Sequence, residues 1–248
     1  MIVKRLTDAL RRQDWAMVAI EFALVVLGVL LAFQINEWAS DRASAGQRQV
    51  LAERLLEEAE LDLAYIKQAV NYQQNVVRGL GFATRRIVSK KWREADEERI
   101  TASLASARSM VALAPPSSVY EDVGSSGEFN KIGNVGVRAA ISRYRATLSF
   151  EERMRQQLQV PLTTYERIPA FRYETDPEGK ERIRLFVDFP ALLRDRQAQQ
   201  VIALTAENHR IILMLRRRAF RDSAKMCVAL GAAVGRACNR NLPLPRFD

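Results

Sequence analysis

An apolar stretch near the amino terminus constrains this chain more than any other feature. Residues 16–35 read AMVAIEFALVVLGVLLAFQI, and only Glu21 and Gln34 interrupt the apolar side chains. A helix rises about 1.5 Å per residue, so this stretch spans roughly 30 Å, the thickness of the hydrocarbon core of a bilayer. Trp15 and Trp38 lie on either side of it, and indole rings favour the headgroup interface. The sequence therefore predicts a transmembrane helix over residues 15–38.

Two other interpretations of this stretch remain open. The uninterrupted apolar run from Phe22 to Phe33 is short enough for a cleaved signal peptide or for a core helix of a soluble protein. The Ala-x-Ala pattern at residues 43–45 would be the cleavage site, but charged residues separate it from the apolar run. The flanking tryptophans and the basic leader disfavour a core helix. We therefore favour an uncleaved anchor.

Basic residues near the two ends of the span indicate its orientation. Lys4, Arg5, Arg11 and Arg12 precede it, against three arginines in a comparable window after it. The positive-inside rule then places residues 1–14 in the cytoplasm, with Arg11 and Arg12 joining the tryptophans as interface anchors. We expect a single-pass protein of the bacterial inner membrane. Residues 39–240 would lie in the periplasm, followed by a non-helical tail over residues 241–248.

Composition excludes several functional classes. The formal net charge is +9, which is compatible with contact with anionic membrane lipid, although an ordinary solvated surface is the interpretation we favour. No aromatic-basic motif of the nucleic-acid-binding kind is present, so no nucleic-acid partner is expected. His209 is the only histidine, and no Glu-x-x-His motif occurs. The sequence therefore predicts no metal site and no cofactor.

The two cysteines, Cys227 and Cys238, are too few for a disulfide-rich scaffold or a four-cysteine zinc site. On one continuous helix they would lie about 16 Å apart, too far for a bridge. Gly231 and Gly235 lie between them, so the helix could end there and the chain fold back. The pair is therefore a candidate disulfide.

The spacing of apolar residues after the span predicts an all-α fold. Helical segments are predicted at 36–90, 94–112, 119–123, 134–168 and 191–234, with a kink at Pro161. A β-hairpin is predicted over residues 173–188, with its turn at residues 176–179. Acidic residues between Glu53 and Asp62 are expected on the solvent side of the first segment. The transmembrane helix would thus continue into an elongated antiparallel helical bundle with one small hairpin.

One face of the predicted span carries Glu21, Gly28 and Ala32, with Gln34 nearby. Small residues four apart allow helices to approach closely, and a carboxyl group in a membrane helix is a functional candidate by default. This face is a candidate interface with another transmembrane helix or a second copy of the chain. The alternative is a tolerated polar residue near the boundary, with small residues there by chance.

A glycine-rich loop carries the second group of candidate site residues. Tyr120, Ser126, Gly127, Arg138 and Tyr144 would face a ligand or a protein partner. No Gly-Lys-Ser/Thr follows the glycines, so this is not a phosphate-binding loop of the Walker type. The structural alternative, which we favour, is a tight bend whose serines cap a helix and whose tyrosines pack.

A catalytic role for His209 would require Ser125 or Ser126 as the nucleophile. No Gly-x-Ser-x-Gly elbow accompanies these residues, and His209 is expected at the surface of the last helix. The arginines at 216–218 and Arg221 could contact an anionic group, but a solvated helix face is the expectation we favour.

Residues 11–42, with the Gln34-Ile35-Asn36-Glu37-Trp38 motif, resemble an uncharacterised family of bacterial single-pass membrane proteins. Tyr120, Ser126-Gly127, Arg138 and Tyr144 resemble that family's second motif. The resemblance implies a membrane topology and a helical fold, and it supplies no activity.

The leading hypothesis is a membrane-anchored helical module that binds a protein partner or a small ligand and has no catalytic activity. One alternative is a structural tethering subunit of an envelope complex. The other is a hydrolase that uses Ser125 or Ser126 with His209.

Overall fold

The computed structural model describes residues 15–159, 167–175 and 184–242. Its α-helices are α1 (Trp15–Val88), α2 (Glu97–Ser106), α3 (Ser118–Ser125), α4 (Val135–Gln159), α5 (Phe189–Arg194) and α6 (Arg196–Val234). Short 3-10 helices lie at Glu94–Asp96 and Glu128–Lys131. Strands β1 (Phe171–Glu174) and β2 (Arg184–Val187) pair antiparallel, with Phe171 opposite Val187. The prediction of an all-α fold with one small hairpin is confirmed.

Residues 1–50 form the first of two compact units. Within this unit, α1 contains an apolar window with a mean hydropathy of 2.0 and no buried side chain. Its length and composition suffice to cross a membrane.

Residues 51–248 form the second unit, which we call the helical domain. Helices α4 and α6 run antiparallel in it. Thr147 Oγ1 donates to Asp222 Oδ2 at 2.9 Å, Arg216 Nε donates to Glu151 Oε1 at 3.1 Å, and Asn208 Nδ2 donates to the Leu158 carbonyl at 3.2 Å. Residues further along α4 therefore bond to residues earlier in α6, as antiparallel helices require.

A seven-residue repeat of buried positions runs along the three long helices. The buried residues at this spacing are Ala52, Ala59, Ile66, Gln73, Leu80 and Ile87 on α1, Val137, Tyr144 and Glu151 on α4, and Ile202, His209, Arg216, Ser223 and Leu230 on α6. A seven-residue period keeps one seam of each helix against its neighbours, as in coiled coils. Several of these seam positions hold polar side chains.

The apolar core is divided into two main clusters. One contains the end of α1, α2, the hairpin, α5 and the start of α6, with Leu80, Leu104 and Leu192 fully buried. The other contains the start of the domain on α1, α3, α4 and the end of α6, with Leu56, Ile141 and Ala219 at its centre. Gln73 on α1 and the segment from Asn208 to Arg216 on α6 lie between these clusters in sequence.

Two predicted helical segments differ from the structure in their extent. The second segment ends at Ser106 and not at residue 112, because the backbone carbonyls of Ala107 and Val111 accept hydrogen bonds from His209 and Arg216. The last segment is interrupted at Asp195, whose extended backbone starts α6 and whose carboxylate accepts the Ala198 N–H at 3.0 Å.

Helix α4 is described as far as Gln159, and residues 167–170 form turns and not the predicted end of that helix. Pro161, the hairpin turn at residues 176–179 and most of the tail at residues 241–248 lie outside the described residues.

The carboxyl end of α6 folds back through two glycines. Gly235 adopts a left-handed conformation with φ of 78°, and the Arg236 N–H donates to the Gly231 carbonyl at 3.0 Å. A Cβ at position 231 would lie 2.5 Å from the Arg236 carbonyl oxygen, so the close approach requires glycine. The reversal places Cys238 beside Cys227, and the two form a disulfide with a Cα–Cα separation of 5.6 Å.

A buried carboxylate on α1 holds the returning chain. Glu60 Oε1 accepts the Asn239 N–H at 2.7 Å, and Arg236 Nη1 lies 3.3 Å from the same oxygen. The end of the described chain is therefore attached to both α6 and the first turns of the helical domain on α1.

We expect Cys227→Ser to lower the free energy of unfolding by up to about 3 kcal/mol, because the bridge closes a short loop of the unfolded chain. Chemical denaturation of the full chain in detergent, with and without reductant, measures the loss. Reduced wild type should match the variant. If reductant leaves the wild-type midpoint unchanged, the bridge does not stabilise the fold.

Candidate functional site

The guanidinium of Arg216 is a deeply buried charge in the helical domain. Only 1% of this residue is exposed. Its Nε donates to Glu151 Oε1 on α4 at 3.1 Å, and its Nη1 donates to Gln73 Oε1 on α1 at 3.2 Å. Its Nη2 donates to the Val111 carbonyl. The prediction that this arginine lies on a solvated face is wrong, although Arg217, Arg218 and Arg221 are exposed.

Glu151 is the carboxylate partner of this arginine and is fully buried. Burial raises the pKa of Glu151, and the nearby Arg216 charge opposes that rise. Its second oxygen, Oε2, has no hydrogen-bond partner among the described residues. The carboxylate therefore depends on Arg216 for its compensation in a medium of low polarity.

His209 lies in the same layer, and the prediction that it is a surface residue is also wrong. It is 1% exposed. Its Nε2 lies 3.1 Å from the Ala107 carbonyl oxygen, which can only accept, and its Nδ1 lies 2.8 Å from Gln73 Nε2. This geometry fits a neutral ring with its proton on Nε2. Burial lowers the pKa of His209, and the Arg216 charge adds to that effect.

A cleft of about 240 Å³ opens beside this polar layer. Its walls include Tyr65, Tyr72, Val111 and Ala112, and Arg216 lines its base. Tyr72 and Val111 are exposed there. The cleft offers aromatic and aliphatic contacts and one buried cation, and none of its lining residues is a serine, threonine, cysteine or histidine. A wider cleft of about 970 Å³ lies between α2 and the hairpin, and both acidic and basic side chains line it.

A second buried polar group joins α1 to α4. Tyr144 donates its hydroxyl proton to Asp62 Oδ2 at 2.8 Å, and both side chains are buried. Burial is the main cause that raises the pKa of Asp62 to about 7, and it also raises the pKa of Tyr144. Asp62 Oδ1 has no hydrogen-bond partner among the described residues.

Glu58, one turn before Asp62, holds the amino end of α3. Its two carboxylate oxygens accept the N–H groups of Val119 and Tyr120 at 2.7 and 3.2 Å. Helix amino termini carry unpaired N–H groups and partial positive charge, which a carboxylate compensates. Glu58, Glu60 and Asp62 are thus buried, and their predicted solvent exposure is wrong.

The structure uses most of the predicted loop residues internally. Gly127 adopts a left-handed conformation with φ of 71° at the turn after α3. Ser126 donates its hydroxyl to the Val123 carbonyl at 3.2 Å. Arg138 donates to the carbonyls of Ile132 and Gly133, each at 3.1 Å. These contacts shape the bend, in line with the structural alternative.

Tyr120 and Tyr144 are the two loop candidates that the structure brings together. They line a small cavity of about 10 Å³ with Asp62 and Arg145, and the Arg145 guanidinium lies 4.1 Å from the centre of the Tyr120 ring. A cavity of this size holds about one water molecule. It is too small for a metabolite.

Ser125, Ser126 and His209 do not form a catalytic set in the structure. Both serine hydroxyls donate to main-chain carbonyls in α3, at 3.0 Å for Ser125 and 3.2 Å for Ser126. Both ring nitrogens of His209 are occupied by Gln73 and Ala107. The described residues contain no group of three or more acidic, histidine or cysteine side chains that could hold a metal ion.

The residues of the predicted membrane interface lie on α1. Glu21, Gly28, Ala32 and Gln34 are all exposed, and a Cβ added at Gly28 would meet no other atom within 4 Å. Trp38 is exposed, with the Arg42 guanidinium 5.4 Å from its ring centre. Trp15 begins α1, whereas Arg11 and Arg12 lie outside the described residues.

Comparison of the chain with protein-family models, with curated proteins and with solved structures gives no match.

Sequence reasoning missed Gln73, Glu151 and Arg216 as the central polar residues. The available signal was their spacing, because each falls in a seven-residue series that also contains apolar residues. A polar residue at a position of this kind is typical of a buried contact that fixes helix register.

We expect Arg216→Met to destabilise the helical domain by about 3–5 kcal/mol, because it leaves the Glu151 charge buried without a partner. The matched double variant Glu151→Leu/Arg216→Met should recover most of that loss. Equilibrium unfolding of the full chain in detergent measures both. A double variant as unstable as the single one would show that the charge pair is not the cause.

We expect Asp62→Asn to reduce the pH dependence of stability. Burial raises the pKa of Asp62 from its ordinary value of 3.8 to about 7 in the folded chain. The folded state therefore holds this proton more tightly, and the stabilisation is fully present below about pH 4 and lost as the pH rises to about 7. Between these two pH values, the contribution of Asp62 to the free energy of unfolding falls by at most about 4 kcal/mol.

The measurement is the unfolding free energy of wild type and Asp62→Asn across this pH range. His209 acts in the opposite direction, because its lowered pKa costs stability as the pH falls below its ordinary value of 6.5. Subtracting the variant curve of unfolding free energy against pH from the wild-type curve removes the contribution of His209. Parallel curves would contradict the role assigned to Asp62.

Proposed function

We propose that this protein is a single-pass protein of a bacterial inner membrane, with its helical domain in the periplasm. In this proposal the domain binds a protein partner or a small ligand and does not catalyse a reaction. The observation that carries the proposal is the exposure of the apolar window in α1, none of which is buried by protein.

The exposure of these side chains disfavours a core helix of a soluble protein. Ile20, Phe22, Leu24, Phe33 and Ile35 are each more than 60% exposed. A soluble protein gains its stability by burying such side chains, and a contiguous exposed apolar surface marks a site of membrane or protein contact. A bilayer supplies the missing apolar environment, because its core matches the length of this segment.

Two observations favour an anchor that remains attached to the domain. The Ala-x-Ala pattern at residues 43–45 lies inside α1, so the backbone there is helical. Trp38 and Arg42 also form a contact suited to the membrane interface. Neither feature is required of a signal peptide that is removed.

The orientation is supported by the disulfide between Cys227 and Cys238. Disulfides persist in oxidising compartments such as the periplasm and are rare in the cytosol. The excess of basic residues on the amino-terminal side of the span favours the same orientation, with the helical domain in the periplasm.

The use of polar side chains within the domain supports binding over catalysis. His209 and Glu151, which could act as acid or base, are buried in contacts that join helices. The hydroxyls of Ser125 and Ser126 donate to main-chain carbonyls of α3. A hydrolytic site would need a nucleophile and a base within hydrogen-bond reach of each other.

Reporter fusions at the carboxyl terminus test the topology. We expect a fused alkaline phosphatase to be active, a fused green fluorescent protein to be dark, and the chain to stay in carbonate-washed membranes. Leu27→Arg/Leu30→Arg should abolish insertion, because each arginine costs about 2.5–3.5 kcal/mol at the centre of a span. Val50→Arg, outside the span, is the control.

An intact-mass measurement on the recovered protein separates an anchor from a signal peptide. A soluble chain that begins after Trp38 would overturn the proposal. Stoichiometric proteins that co-purify in mild detergent would favour the tethering-subunit alternative.

A further inference from the structure

We propose that a groove between α1 and α6, lined by four arginines, binds an acidic amphipathic helix of a partner protein. We call it the arginine groove, and its basic residues are Arg78, Arg210, Arg217 and Arg221. The inference deepens the proposed binding function and rests on it.

The charges of the groove are largely uncompensated. All four arginines are exposed, and no acidic residue lines the groove. Arg210 lies 3.1 Å from a carboxylate oxygen of Glu207, and Arg78 donates to the Asn75 side chain. Arg217 and Arg221 lie four residues apart on one helical face, where like charges repel each other. An anionic partner would relieve that repulsion, and guanidinium groups pair well with carboxylates.

An apolar strip runs between the arginines. Leu213, Met214 and Val77 line the groove with them, and Met214 is 61% exposed. A flexible methionine adapts to the side chains of a partner. A ligand that offered only negative charge would leave the Met214 side chain in water. The groove therefore fits an occupant with an apolar face and acidic flanks.

The dimensions of the groove suit a helix. Its residues on α6 extend from Arg210 to Arg221, which is about 16 Å or three helical turns at 1.5 Å per residue. The groove volume is about 560 Å³. An amphipathic helix lying in a groove between two helices is a recurrent mode of peptide recognition.

The arginine groove is distinct from the buried polar layer. Arg216 points into the layer and bonds to Glu151 and Gln73, whereas the adjacent Arg217 is exposed in the groove. Substitutions in the groove can therefore remove charge without disturbing the buried pair.

Fluorescence anisotropy with a labelled synthetic peptide tests the proposal. The peptide is about four helical turns long, with leucines at helical spacing on one face and glutamates on its flanks. Its control is a scrambled peptide of the same composition. Full-length protein in nonionic detergent micelles is titrated into each. We expect saturable binding of the amphipathic peptide that is at least tenfold tighter than that of the scrambled one, and weaker at high salt.

Two charge-matched variants locate the site. Arg78→Gln/Arg217→Gln/Arg221→Gln should weaken binding at least tenfold. Arg143→Gln/Arg153→Gln/Arg240→Gln removes the same charge from exposed positions outside the groove and should change binding less than twofold. Met214→Glu should also abolish binding, because it places a negative charge in the apolar strip. Circular dichroism of each variant confirms that the fold is intact.

Equal affinity for the two peptides, or equal effects of the two triple variants, would overturn the proposal. Groove-dependent binding of phosphatidylglycerol in mixed micelles, without binding of the peptide, would also overturn it and assign the groove to lipid. A failed topology experiment leaves the peptide titration unchanged, so the two proposals fail separately.

Discussion

The register of the three long helices depends on the layer that holds the Arg216 guanidinium. This one group bonds to Glu151 on α4, to Gln73 on α1 and to the Val111 carbonyl in the segment after α2. Any slip of one helix along another would separate the buried charges, which costs far more than a shifted apolar contact. The apolar clusters on either side could tolerate small slips, since hydrophobic contact is not directional. The polar layer therefore selects one alignment.

The same arrangement explains why the segment after α2 has no regular structure. Its carbonyls at Ala107 and Val111 are used by His209 and Arg216 on α6. Buried carbonyl groups need hydrogen-bond partners, and here side chains of another helix supply them in place of a helical ladder. A stretch that would otherwise continue α2 thus becomes part of the wall around the buried charges.

Local sequence patterns predicted the helices and strands of this fold better than they predicted the contacts between them. The apolar run, the long helices, the hairpin and the reversal between Gly231 and Gly235 each follow from residues close together in sequence. The break at Asp195 carried a recognisable capping signal, although the apolar spacing concealed it. The burial of Glu58, Asp62 and Arg216 could not be read from neighbouring residues, because their partners are 60 or more residues away. Of these three residues, only Arg216 falls in the seven-residue series that indicates a place in the core.

The fold-back at the end of α6 determines where the described chain leaves the helical domain. Asn239 is bonded to Glu60, so the chain exits beside the turns of α1 through which it enters. These turns of α1 pack in one apolar cluster, whereas α2 and the hairpin pack in the other, at the far end of the domain. Extra sequence could be appended at the carboxyl end, or loops exchanged at the far end, each with little effect on the other. The two ends of the domain are thus free to diversify independently.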